Sequence, residues 1–258
     1  MPERPVLIRN GTGSSWAPLR SLLSRQALTS EFGTMPIEVG AAPYYEAAAT
    51  RKTTLGRFAA AVAHNPGTVR EQLQEEQQAR APPGHAEYLF VGLHGNGASS
   101  DRERAMQRAL ETALEARLPP VLREALERNH LHSKAWVQFS LGPAGAGSGM
   151  HYHVAALNTL AYGRKHWTLL PPGDAVYSAT PVRRWHALGG RARLRAEGRA
   201  VYECVQQPGD VLYIPDHVGH AVLNLAPSVG FAVEVATARG RSMRLELDYT
   251  KIQVRIKK

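Results

Sequence analysis

From Ala135 to Val235 apolar residues recur at every second position, in the successive runs AWVQFSLG, HYHVAALNTLAYG, HWTLLPP, VYECVQQ, DVLYIP, HAVLNL and VGFAVEV. A period of two puts alternate side chains on opposite faces of a strand. Short strands of this kind, joined by tight turns, read as a β-barrel or sandwich. The pattern upstream is different. Pro5 to Arg9 and Met35 to Val39 read as strands and Trp16 to Ser24 as a helix, each bounded by Gly, Ser, Thr or Pro. Thr53 or Thr54 is placed to cap a helix through Ala63, and TVREQLQEEQQAR continues in a strongly helix-forming composition until Pro82-Pro83-Gly84. A strand is expected from Tyr88 to Val91. Asp101 then opens the charged helix DRERAMQRALETALEARL, and Pro119-Pro120 begins another reaching about Asn129. The Met and Leu stripe of these helices reads as core packing. The expectation is a mainly β fold with a helical N-terminal part.

A chain of 258 residues with 43% hydrophobic content suits one domain over residues 1–258, with a lead-in over 1–130, a barrel core over 131–240 and a basic tail over 241–258. No apolar run is long enough to cross a bilayer, and the opening MPERPVLIRNGTG shows no hydrophobic stretch ahead of a small-residue cleavage site. Neither a membrane span nor a secretory address is expected. The single cysteine, Cys204, rules out an internal disulfide and a thiolate-rich zinc cage, so any metal falls to histidine. The excess of 31 Lys plus Arg over 22 Asp plus Glu, a net +9, favours anionic ligands or acidic peptides through the summed field. Much of that charge is arginine scattered over helices. No helix-turn-helix, zinc-finger or RNP signature accompanies it, and no nucleic-acid partner is expected.

The chemistry is concentrated in histidine. His151 and His153 are two apart, so on a strand both face one way, and His220 in PGDVLYIPDHVGHAVLNL supplies a third imidazole from a neighbouring strand. Three imidazoles suit Fe, Zn, Cu or Ni. The plain alternative is three polar residues on half-buried strands, hydrogen-bonded to their neighbours. His217 is a substitute or supporting residue, although Pro215 argues against a helix that would align it with His220. The run GPAGAGSG before His151 reads as a tight loop at a barrel mouth. It lacks the Gly-Lys-Ser/Thr ending and following helix that a phosphate-binding loop needs.

The stretches FSLGPAGAGSGMHYH and GRKHWTLLPP, followed by ECVQQPGDVLYIPDHVGHAVLNL, resemble the JmjC domain, over about half the chain from Phe139 to Val235. The segments PVLIRN and EYLF and the tryptophan-containing helix are loosely similar to the usual JmjC lead-in. The resemblance implies a double-stranded β-helix, the cupin jelly roll. It also implies an oxygenase using Fe(II), 2-oxoglutarate and dioxygen on a protein or peptide substrate. His151 matches the first ligand of the family's His-x-Asp/Glu pair and His220 the distal histidine. His153 stands where the carboxylate is expected, which leaves a ferrous site at +2 instead of +1. Three-histidine sites support oxygen chemistry in other cupins.

Lys165 matches the lysine that pairs with the far carboxylate of 2-oxoglutarate; without the resemblance, Gly163-Arg164-Lys165-His166 reads as a charged turn. Asn158 and Asn224 take inward positions by strand parity, to hold the cofactor or to satisfy buried backbone groups. Thr159 and Tyr152 are weaker candidates. Val218-Gly219 replaces the family's frequent Trp-Trp, which is expected to open the pocket wall. The members most resembled imply the lumen of the endoplasmic reticulum, for a chain with a further N-terminus.

Two readings stand side by side. One is a JmjC-type oxygenase with an atypical His-x-His motif. The other is an inactive cupin-like binding or scaffold protein. A third, an oxygenase independent of 2-oxoglutarate, would keep its oxygen uptake without Lys165. The arginines at 183, 184, 191, 193, 195 and 199 read as a solvated loop between strands. Ile252, Val254 and Ile256 read as an edge strand whose Lys and Arg face water, and dimerisation through it is not implied.

Overall fold

The computed structural model describes residues 4–40, 50–63, 86–93, 100–128 and 135–235. Two long antiparallel strands organise it: β7 (Ala156–Leu170) and β10 (Gly219–Val235) pair from Gly219 opposite Leu170 to Glu234 opposite Ala156. In the sequence alone each reads as two strands. Tyr162-Gly163-Arg164 and Ala226-Pro227-Ser228 look like turns but are bends inside continuous strands, where the register shifts between Asn224 and Gly230. Gly163 has φ +88°, and a Cβ there would lie 2.3 Å from the Pro227 carbonyl oxygen, so the two bends nest against each other.

The bend divides the eight-stranded sheet into halves that line opposite walls of a jelly roll. In one half, β10 beyond the bend pairs with β5 (Ala135–Gly142), which pairs with β4 (Leu89–Gly92). On its other side lie the first residues of β7, then β9 (Val211–Ile214) and β1 (Val6–Ile8). In the other half, the start of β10 pairs with β6 (Gly147–His151), and the end of β7 pairs with β8 (Tyr202–Gln206). A separate hairpin joins β2 (Pro36–Val39) to β3 (Arg51–Thr54).

Strand parity sorts the side chains into layers. On the larger half, Leu157, Ala161, Val211, Tyr213, Phe231 and Val233 face outward into a core shared with the N-terminal helices. These are α1 (Trp16–Leu22), α2 (Arg25–Ser30), α3 (Leu55–Ala63), α4 (Asp101–Glu115) and α5 (Pro120–Arg128). The helix expected over Trp16 to Ser24 ends earlier, because the Ser24 hydroxyl accepts from the Ala27 N–H and caps α2. In α4, Ser100 Oγ accepts from the Glu103 N–H, and Asp101 and Glu103 sit at the positive end of the helix. Gln107, Leu110 and Leu114 form its buried stripe. Between the halves lie Leu7, Trp167, Leu169, Cys204, Leu212, Ile214, Val218 and Val222.

The outer face of the smaller half is covered by α6 (Val182–Ala187) and α7 (Gly190–Ala196), which pack Val182, Trp185 and Leu194 on Met150, Ala221 and Leu223. The arginine-rich insert is therefore a docked helical pair and not a solvated loop. Arg191 and Arg195 both bond Glu203 on β8; burial opposes ionisation of that carboxyl, but the two guanidiniums hold it down at about 2. The helix expected over TVREQLQEEQQAR and the basic tail lie outside the described residues, and no helix among those described is long and apolar enough to cross a membrane.

The glycine-rich run is also only partly a loop, since β6 begins at Gly147. Gly147 has φ +147°, and a Cβ would sit 2.0 Å from the Val222 carbonyl oxygen on β10. Gly147→Ala is expected to cost about 2 kcal/mol or more through strain and displacement of β6. A denaturant titration checks this; an unchanged midpoint would mean that β6 does not press on β10 as described.

Candidate metal centre

β6 ends at His151, and the chain leaves the strand before His153. The two rings nevertheless converge. His151 lies directly opposite His220 across the β6–β10 pairing, and the backbone N–H of His217 donates to the His153 carbonyl at 2.9 Å, tying the loop of His153 to the turn before β10. The ligand atoms offered by His151, His153 and His220 all lie within 4.8 Å of one another. His217 is not part of the cluster: it has φ +58°, its side chain is exposed, and it pairs with Asp216.

Each ring is oriented by its Nδ1. That atom lies 2.7 Å from the Gly149 carbonyl in His151, 2.7 Å from the Val154 carbonyl in His153 and 2.9 Å from the Val218 carbonyl in His220. A carbonyl only accepts, so each Nδ1 carries the hydrogen and each Nε2 is left with its lone pair. Burial drives the His151 imidazolium down to about 4, with the Gly149 bond opposing and His153 adding to the fall. Burial, reinforced by His151 and His153, pushes His220 well below its ordinary value. Neutral rings with fixed backbone anchors are the form in which imidazole binds metal.

The histidines line a cavity together with Tyr88, Phe90, Gln138, Asn158, Lys165 and Trp167. Lys165 is 1% exposed, and Nζ donates to Ser140 Oγ at 3.2 Å. Among the described residues no carboxylate pairs with it, and burial lowers its ammonium to about 8. Ser140 Oγ donates in turn to the Gly230 carbonyl, and Tyr88, whose phenol burial raises to about 12, hydrogen-bonds Ser140. Asn158 lines the cavity with its Oδ1 unpartnered. Asn224 does not line it; its Nδ2 donates to the carbonyls of Gly142 and Pro143 and holds the turn into β6. Thr159 Oγ1 is buried with no hydrogen-bond partner among the described residues, and Tyr152 is exposed. Neither Val218 nor Gly219, where the wall is expected to open, is among the residues that line the cavity. Gly219 alternates with His220 and faces away from the cavity, where a Cβ would meet the Ala175 Cα at 3.0 Å.

Tyr88, Ser140, Gln138 and Trp167 escape the sequence reading as site residues. Each sits in a run whose alternation marks it only as strand, and nothing in the spacing ties β4 or β5 to the histidines.

The donor set fits a divalent ion: three imidazoles, each with its Nδ1 on a backbone carbonyl, bring ligand atoms to within 4.8 Å of one another. Residues 121–243 match the family model of the JmjC domain. JmjC domain-containing protein 8 of Mus musculus is 40% identical over 95 residues, 35% of this chain and 35% of that protein. The Homo sapiens protein of the same name is 38% identical over 100 residues, with the same coverage. Lysine-specific demethylase JMJ21 of Arabidopsis thaliana is 33% identical over 106 residues, 34% of this chain and 11% of that protein. The match thus spans about a third of the length of the first two relatives.

The histidines make stability depend on pH in a defined direction. Below about 6.5 the unfolded chain takes up protons that folded His151 refuses until about 4, so stability is complete above 6.5 and falls between 6.5 and 4. His151 alone contributes on the order of 3 kcal/mol to that fall in metal-free protein. Urea unfolding at a series of pH values checks this, and a slope as steep in His151→Asn would assign the loss elsewhere.

Proposed function

We propose, from the JmjC domain that residues 121–243 form, that this chain is a metal- and 2-oxoglutarate-dependent oxygenase acting on a protein or peptide side chain. One observation carries the reading: a single cavity places three metal-ready imidazoles with a buried ammonium that has no carboxylate partner among the described residues. An isolated buried ammonium costs several kcal/mol, which an anionic ligand offsets. The far carboxylate of 2-oxoglutarate is such a ligand, and His151, His153 and His220 would hold Fe(II). The bound pair would supply dioxygen reduction coupled to oxidative decarboxylation of 2-oxoglutarate.

The chain's own residues then have distinct tasks. The carbonyls of Gly149, Val154 and Val218 keep each Nδ1 protonated and each Nε2 available. Ser140 aims the Lys165 ammonium, and Asn158 offers an acceptor beside it. Phe90, Trp167, Ile214, Val222 and Ala232 exclude water, which strengthens the attraction between Lys165 and an anion. A protein substrate is suggested by the demethylase relative. The second reading, a jelly roll kept for binding alone, draws on His153, which stands in place of the family's carboxylate.

Anaerobically purified protein is expected to hold about one Fe(II) per chain and to bind 2-oxoglutarate in its presence. His151→Ala should lose the iron. Lys165→Ala should keep the iron and weaken 2-oxoglutarate at least tenfold, the scale of a lost charge-assisted contact. Elemental analysis and calorimetry give the answer, and wild-type protein that takes up neither would leave the binding-only reading.

A further inference from the structure

Glu234 is a buried acid beside the metal motif. It lies near the end of β10 and is 8% exposed, the one charged residue in the stretch GFAVEV that closes the strand. Its Oε1 is 3.5 Å from His153 Nε2. Strand parity puts it on the cavity face. Ala232, two residues before it, lines the cavity, and so does Ala156, its partner across the β7–β10 pairing. Among the described residues His153 is its one ionic partner.

The direction of the hydrogen on His153 gives this contact its meaning. Nδ1 donates to the Val154 carbonyl, so Nε2, the atom that faces Glu234, is a lone-pair donor. A carboxylate oxygen is another. Two such groups held 3.5 Å apart in a buried place attract one another through a shared cation, either a proton on Nε2 or a metal ion. Donors about 2.1 Å from a common divalent ion lie roughly 3.0 to 3.5 Å apart at octahedral to tetrahedral angles, so the observed spacing suits that arrangement.

We propose that Glu234 is a ligand residue of the metal centre, supplying from the far end of β10 the carboxylate that His153 displaced. This rests on the metal-binding reading above. The centre then consists of three imidazoles and one carboxylate, and its charge with a divalent ion returns from +2 to +1. Such a set favours Fe(II), Mn(II) or Co(II) over a purely nitrogen set. Glu234 is outside the group of ligand atoms within 4.8 Å of one another, so metal uptake draws its side chain inward.

Cobalt(II) titration of the full chain, followed by its visible absorption, tests the assignment without any need for turnover. Glu234→Gln preserves size and is expected to weaken Co(II) at least tenfold and to change the absorption band. His153→Asp in the Glu234→Gln background puts an acid back in the centre and is expected to recover most of that affinity. The double variant also answers if the single one folds poorly, as far-UV circular dichroism would show. Glu234→Gln protein that is folded and binds Co(II) with wild-type affinity and spectrum overturns the proposal and leaves the three-histidine centre standing. Wild-type protein that binds no Co(II) overturns both.

Discussion

The pairing of β7 with β10 holds both poles of the cavity in register. His220 lies opposite Leu169 and Asn224 opposite Lys165, while His220 also faces His151 on β6. The ammonium and two of the imidazoles are therefore separated by a fixed number of strand steps and not by loop conformations. The bend at Gly163 and Ser228 then carries the far ends of the same strands to the opposite wall. Asn158 and Ala232 come to line a cavity whose His220 sits at the other end of β10, and Glu234 comes to lie against His153. A strand pair that bends once and is packed on both outer faces builds the site and the fold with the same hydrogen bonds.

That construction carries a conflict between stability and function. Three inward lone pairs and an ammonium with no carboxylate partner among the described residues are each unfavourable when buried. The apolar layers outside it, one with the N-terminal helices and one with α6 and α7, offset that cost. The smaller layer is pinned electrostatically as well, by Arg191 and Arg195 on Glu203. The polar groups inside are thus tolerated because the sheet is clamped from both sides. Places where local chemistry contradicts burial are where function is expected.

The strand-rich half was legible because alternation survives in one dimension, and the helical lead-in because its caps and stripes do too. What the sequence hid is the continuity of strands. Gly163 and Pro227 carry turn chemistry, and only the contact of the two bends shows that neither ends its strand. The histidine cluster was legible from spacing, although His153 reaches it from a loop held by His217 and not by strand parity. Lys165 depended on the family resemblance, since a lysine between Arg164 and His166 says nothing of burial. Strand parity left two roles open for Asn224, and its amide donates to the Gly142 and Pro143 carbonyls, buried backbone groups of the turn into β6. Glu234 was invisible, because the bend that brings it back to His153 is a tertiary fact.

The position of that acid changes what the metal would measure. A carboxylate at 153 would belong to the same short segment as His151, and the two would move together. Glu234 belongs to the wall formed beyond the bend, and His151 and His220 to the wall before it. An ion shared by them binds one half of the jelly roll to the other, so metal affinity depends on how closely the halves approach. Packing at the bend and beneath α6 and α7 would then tune the centre from outside the cavity, since a shift of one wall moves donors on that wall only. In a close-packed interior such shifts are transmitted rather than absorbed. The same ion would offset the repulsion among the inward lone pairs, coupling occupancy of the centre to stability of the fold.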